Sequence, residues 1–205
     1  MINDLICPSG TINSSSISNG WSFFRLLRVN ILSLVIDPSN PQTLYAGTDV
    51  LYGRGVFKIT NGGDSWTQIA EANIDIPILV IDPSNPQTLY AGTHGAGVFK
   101  TTDGGTSWAA ANTGLTVGYI EAIAIDPLSS QIIYAGTFGG GLFKSTNNGG
   151  TWAAANIGLK DFGLIVNALV INPMNPQIIY IGTLGGVFKS TSGGDSWIAI
   201  NTGLP

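Results

Sequence analysis

Acidic and amide side chains recur at fixed places in this sequence, and acid–base chemistry is the first activity they suggest. The turns ITNGGDSW, TTDGGTSW, STNNGGTW and STSGGDSW put Asn61, Asp103, Asn147 and Ser192 at one equivalent position. A general acid or base must titrate, and neither an amide nor a hydroxyl does so in the useful range. The position therefore accepts hydrogen bonds in a turn rather than moving a proton. The same substitution test applies to Asp37, Asp82, Asp126 and Asn172, which open four copies of a Pro-rich turn.

Residues that are not repeated are the better candidates for function. They are Asp49, Tyr52, Arg54, His94 and Phe138, with Leu184, in one set of loops, and Glu71, Asp75, Tyr119, Glu121, Lys160, Asp161 and Phe162 in another. Carboxylates mixed with Tyr, Phe and His suit a polar or sugar-like ligand, and irregular loops on a regular scaffold are where binding usually resides. His94 is the sole histidine, so a His-based metal cluster or a nucleophile–His pair would have to use it. No Ser or Cys stands out as its partner. The expectation is no metal, no cofactor and no nucleophilic catalysis.

The elements that position these residues follow from a repeat. Trp21, Trp66, Trp108, Trp152 and Trp197 are spaced by 45, 42, 44 and 45 residues, and Asp37, Asp82, Asp126 and Asn172 by 45, 44 and 46. Within each unit, short apolar runs are bounded by Pro, Gly, Asn and Asp, with no helical period. In the second full copy the strands read IPILVID (A), TLYAGT (B), GVFKTT (C) and SWAAAN (D). Pro83 and Pro86 lack an amide hydrogen, so the ladder of strand A cannot run through them. Four-stranded units of roughly 40–45 residues have the size of propeller blades. The expected fold is all-β, a small β-propeller of four full blades plus a partial N-terminal blade. The boundaries are 1–30 (partial), 31–73, 74–115, 116–160 and 161–205. Trp21 is in phase with the full copies, so the ring is either five-bladed or completed by another chain, because an open strand edge invites pairing.

The pattern Ser/Thr-x-Asp/Asn-x-Gly-x-Ser/Thr-Trp resembles the Asp-box, or BNR, repeat of sialidases, sortilin-type receptor domains, two-domain xyloglucan hydrolases and the photosystem II assembly factor. It is carried by Thr101, Asp103, Gly105, Ser107 and Trp108 and by Ser145, Asn147, Gly149, Thr151 and Trp152. In the copies around Asn61 and Trp66 and around Ser192 and Trp197, Ile59 and Ser192 depart from it. The resemblance implies a propeller whose boxes are structural, each Trp pinning strand D to its own blade. It also implies limits on activity. Sialidases gather three arginines from separate blades, whereas Arg25, Arg28 and Arg54 all lie in the first 54 residues here. The stretch LYAGTDVLYGRGVFK looks like the segment in which xyloglucan hydrolases carry a catalytic base, and Asp49 is the matching residue. In that family a second propeller supplies the acid.

Bulk properties bound the rest. With 205 residues, 44% hydrophobic and 10% charged, the chain can bury a full core. A net charge of -4 and only eight Lys plus Arg argue against nucleic acid as a partner. No apolar run approaches the roughly 18 residues of a membrane span. Cys7 alone makes no internal disulfide, and the N-terminus lacks the features of a signal peptide. Low charge with abundant Gly, Ser, Thr and Asn leans toward an extracellular or cell-surface protein. The expected function is a non-enzymatic scaffold binding a glycan or protein partner through its irregular loops, or self-assembling through a blade edge. A glycoside hydrolase using Asp49 is the alternative.

Overall fold

The computed structural model describes residues 29–51, 55–63 and 65–204. Among these residues sixteen strands form four antiparallel sheets, each in the order of the chain. The first sheet holds β1 (Ile31–Ile36), β2 (Leu44–Thr48), β3 (Val56–Ile59) and β4 (Thr67–Ala70). The second holds β5 (Ile78–Ile81), β6 (Leu89–Gly92), β7 (Val98–Thr101) and β8 (Ala109–Ala110). The third holds β9 (Ile120–Asp126), β10 (Ser129–Thr137), β11 (Gly141–Ser145) and β12 (Ala153–Ala154). The fourth holds β13 (Val166–Ile171), β14 (Ile179–Thr183), β15 (Gly186–Ser190) and β16 (Ile198–Ala199). One 3-10 turn, Asp161–Leu164, precedes β13. The partial N-terminal blade and its Trp21 lie outside the described residues.

Strand D is shorter than the run SWAAAN suggests, covering only Ala109–Ala110 in the second sheet. Its tryptophan stands before the strand, and the reason is its real bonding partner. Trp152 Nε1 donates to Ala111 O at 2.8 Å and Trp197 Nε1 to Ala155 O at 2.9 Å, both in the preceding sheet. The indole therefore ties neighbouring sheets together, which corrects the expectation that it pins strand D to its own blade.

The core sits between sheets rather than inside any one. Among the described residues three apolar clusters occur, each drawn from two successive sheets; Tyr90, Val98, Ile120 and Ile133 lie in one, all fully buried. Burying a side chain of this size contributes about 1.5–3 kcal/mol. The inner strands β1, β5, β9 and β13 pack side by side in that order. The glycine of each AGT strand permits this approach. A Cβ on Gly92 would lie 2.7 Å from Ile120 of the next sheet, and one on Gly136 2.7 Å from Val166.

A second device repeats at every junction. Tyr45 and Lys58 both donate to Gly104 O, Tyr90 and Lys100 to Asn148 O, and Tyr134 and Lys144 to Gly193 O. Each lysine also lies over its tyrosine ring, 5.1–5.7 Å from the centroid. Burial raises the Tyr134 phenol to about 12, with the Asp126 and Asp195 charges adding to it. Burial likewise raises the Tyr90 phenol, so the Tyr90 and Tyr134 hydroxyls remain donors across the physiological range.

The two outer sheets depart from the expected burial. Inner strand β9 is largely buried, but in β1 the side chains of Ile31, Leu34 and Ile36 are about half exposed. Apolar residues on both faces of a strand require a neighbour on both faces, and among the described residues the first sheet has one on a single side.

Candidate functional site

The two ends of the propeller are built differently. At one end lie the A–B turns and the box turns. Asp103 Oδ1 accepts from the Ser107 amide (2.9 Å) and Thr101 Oγ1 (2.7 Å), and its Oδ2 from Ser107 Oγ (2.6 Å). Hydrogen bonds from the Ser107 hydroxyl and amide, with one from Thr101, hold its carboxyl down at about 2. Asn147 makes the same turn, accepting from Thr151 N and Ser145 Oγ, and Ser192 Oγ accepts from Ser196 N at 3.2 Å. Asp37 and Asp82 each cap the turn that follows, with Oδ1 accepting two amides and a serine hydroxyl, and Asp82 Oδ1 accepts also from Ser130 Oγ of the next sheet at 2.6 Å. Burial pushes both carboxyls up, but these hydrogen bonds outweigh it and the net direction is down. Every one of these acceptors is satisfied within its own turn or by an adjacent turn, leaving nothing pointed at a common centre.

At the opposite end the B–C and D–A loops interlock through main-chain bonds at four equivalent places. Asp49 N donates to Asn30 O, His94 N to Asp75 O, Phe138 N to Tyr119 O and Leu184 N to Ile165 O, at 3.0–3.2 Å. The backbone is thus the same four times, while the side chains are not. They run from Asn30 and Asp49, through Asp75 and His94, to Tyr119 and Phe138, and finally to Ile165 and Leu184. Equal backbone placement with graded side-chain chemistry makes a strip that is polar at one end and apolar at the other.

Four of the residues singled out in the sequence meet at the polar end. His94 Nδ1 lies 3.6 Å from Asp75 Oδ2 and its Nε2 3.4 Å from Glu121 Oε2, and its ring stacks on Tyr119 with centroids 6.0 Å apart. The Nε2 atom is closed off from solvent and makes no well-aligned hydrogen bond among the described residues, so the Glu121 carboxylate is a close neighbour without a hydrogen bond to it. Asp75 Oδ1 accepts from the Val50 amide at 2.8 Å, linking this cluster to the Asp49 loop. Asp49 itself is 8% exposed and accepts from Asn30 Nδ2 at 2.9 Å.

At the apolar end Phe138, Phe162 and Leu184 are each more than half exposed, as is Tyr119 where the His94 cluster borders it. Phe162 and Asp161 belong to the 3-10 turn before β13, one sheet beyond the His94 cluster, and Asp161 takes a positive φ of 49°. Tyr52 and Arg54 lie outside the described residues. Asn30 was missed by sequence reasoning, since nothing in the sequence shows that the residue before β1 faces Asp49. No group of three His, Cys, Asp or Glu side chains suited to a metal ion occurs among the described residues. None of the described helices is long and apolar enough to cross a membrane.

No known protein family matches the sequence, and no curated protein does either. Solved structures do match. An ancestral GH74 enzyme is 25% identical with a TM-score of 0.69, covering 83% of this chain and 24% of its own. The GH74 xyloglucanase from Xanthomonas campestris is 19% identical with a TM-score of 0.69, over 86% of this chain and 31% of its own. YCF48 from Cyanidioschyzon merolae is 13% identical with a TM-score of 0.60, over 83% and 55%. These neighbours are β-propellers, and the four antiparallel sheets here have the same architecture. The chain spans about a quarter to about half the length of these three neighbours.

Proposed function

We propose that this protein is a non-enzymatic binding scaffold whose B–C and D–A loop face takes a glycan. The observation that carries the reading is the graded strip. Asp75 and Glu121, held on either side of His94, offer acceptors for hydroxyl groups, and Tyr119 and Phe138 offer exposed ring faces for the C–H face of a sugar. The opposite end, with its acceptors already satisfied, has no comparable chemistry to offer. Low charge and a composition rich in Gly, Ser, Thr and Asn agree with a role outside the cytoplasm.

A glycan array followed by calorimetry on the bound class tests this. Tyr119→Ala and Phe138→Ala are each expected to weaken binding about tenfold, the worth of one good ring contact. His94→Ala is expected to weaken it further by releasing Asp75 and Glu121. Absence of any glycan ligand, or a ligand indifferent to all three substitutions, would falsify the reading; a protein ligand sensitive to them would keep the face and change the partner.

Likeness to GH74 enzymes favours one second reading, a glycoside hydrolase with Asp49 as base. It requires a second carboxyl group about 5–10 Å away. Asp75 or Glu121 would have to supply it. The burial of Asp49 and its hydrogen bond from Asn30 favour the binding reading. Release of reducing sugar from a β-glucan panel that disappears in Asp49→Asn would reverse the choice.

A further inference from the structure

The three junctions between sheets share a Tyr–Lys pair and the box carbonyl that receives it, and the fourth sheet carries the donating half with nothing among the described residues to receive it. Tyr45, Tyr90 and Tyr134 are buried and each donates to a box carbonyl of the next sheet. Tyr180 is the equivalent residue, only half-buried, with Lys189 Nζ held 5.6 Å from its ring centroid in the same pose. Among the described residues neither has a hydrogen-bond acceptor. Gly47, Gly92 and Gly136 press against the next inner strand, whereas Gly182 meets only Ala168 of its own sheet.

The turn after strand D is equally ready. Asn201 clamps it, accepting from Val187 N and donating to Gly185 O, as Asn156 does with Leu142 N and Gly140 O. Gly158 backs onto Trp197 O of the next sheet, while Gly203, with the same positive φ, faces open space. Leu159 is 6% exposed and its counterpart Leu204 is 53% exposed.

The first sheet carries the receiving half, also unused among the described residues. Trp66 is 46% exposed, where Trp152 and Trp197 are 5% and 4%. Gly62 and Gly63 of its box are exposed, where Gly104 and Gly105, and Gly193 and Gly194, are buried. The Gly62 amide is fixed to Gln42 O in the way that Gly104 is fixed to Gln87 O and Gly193 to Gln177 O, so its carbonyl stands where the next Tyr–Lys pair would find it.

We infer that the chain associates head to tail with a second copy of itself. The fourth sheet of one copy docks on the first sheet of another, with Tyr180 Oη and Lys189 Nζ donating to Gly62 O and the Trp66 amide donating to Thr202 O, as the Trp152 amide does to Thr113 O and the Trp197 amide to Ile157 O within the chain. Both halves come from this chain and match part for part, which is why a second copy is the occupant. The interface repeats the existing junctions and is heterologous, so it closes into a ring or extends as a filament. It does not depend on the glycan reading, because the glycan face is at the loop end and these surfaces are the flanks.

Sedimentation velocity of the 205-residue chain over a wide concentration range tests it. Mass is expected to rise from that of the 21.3 kDa monomer to multiples of it. Lys189→Glu and, on the other flank, Trp66→Ala are each expected to weaken self-association about tenfold or more, as for loss of a hydrogen bond to a charged group or of a buried aromatic. Mixing the two variants should restore one interface and give dimers that stop there. Far-UV circular dichroism checks that both variants stay folded; Leu204→Asp serves as a second variant on the fourth sheet. A monomer at every concentration, including one whose flank is covered by its own residues 1–28, overturns the inference. So does assembly indifferent to substitutions on both flanks, or a variant mixture that stays monomeric.

Discussion

The junction between the first and second sheets is looser than the two that follow it. At the later two, the segments ANTGL and ANIGL follow strand D. Asn112 and Asn156 clamp the preceding loop, and Gly114 and Gly158 lie against the carbonyls of Trp152 and Trp197. The indoles of those tryptophans find acceptors. After Trp66 the chain instead reads TQIAEANI, with Ala70 in place of the clamping Asn and Asn73 in place of Leu115 or Leu159. The pairing of β3 with β4 shifts register between Val56 and Phe57, and Trp108 Nε1 is left buried without an acceptor among the described residues. A cleft of about 410 Å³ opens there, lined by Ala72, Asn73, Phe99 and Trp108 among others. A box turn and the Tyr–Lys pair meet at all three places, so they are not what makes a junction tight. The five residues after strand D are.

That difference can be broken most severely at Gly158. Its φ is 97°, and a Cβ at this position would lie 2.2 Å from Trp197 O, which leaves no room for a side chain. Gly158→Ala is expected to cost about 3–5 kcal/mol, visible as a large fall in the denaturation midpoint. The first junction already has Ala72 at the equivalent place. A result near zero at Gly158 would mean that the tight junctions are not held by this contact.

A matched pair of tryptophan substitutions sharpens the contrast at smaller scale. Trp152→Phe strands Ala111 O and is expected to destabilise by about 1–3 kcal/mol. Trp108→Phe removes a donor that has no partner among the described residues, so chemical denaturation should show a clearly smaller loss, or none. Equal losses would show that the Trp108 indole is satisfied in solution.

The smallest effect expected lies in the boxes. Asp103 has its carboxyl lowered from an ordinary 3.8 to about 2. Between those values the unfolded chain binds the proton and the folded one does not. The contribution is therefore fully present above about pH 4 and is lost as pH falls toward 2. Asp103→Asn copies the neighbouring Asn147 box and should flatten that part of the acid-denaturation curve while leaving neutral stability nearly unchanged. An unaltered acid limb would show that the Asp103 bonds do not persist in solution.

Much of this fold was legible because its signals are local and repeated. Trp and Asp at one period, Pro after strand A and Gly in the boxes each constrain a few neighbouring residues, and a run of residues can report its own turn. The absence of the ANTGL segment after Trp66 was also readable by aligning the copies, although its consequence, an orphaned indole one sheet away, was not. The candidate site was legible only as a set of loops. That Asp75 and Glu121 flank one imidazole, while Asp161 belongs one sheet beyond, follows from which loops interlock.

The sequence by itself determined that each unit is a four-stranded antiparallel blade, and that the repeated acids and amides are turn acceptors, because those outcomes rest on backbone chemistry within a few residues. Only the tertiary structure decided what each blade does to the next. The indole reaches across a junction, the Tyr–Lys pair meets a carbonyl some 50 residues onward, and among the described residues the first and fourth sheets are left with matching unused halves. Such contacts join groups that are distant in the chain, and their energy comes from close fit between surfaces, which no single repeat contains.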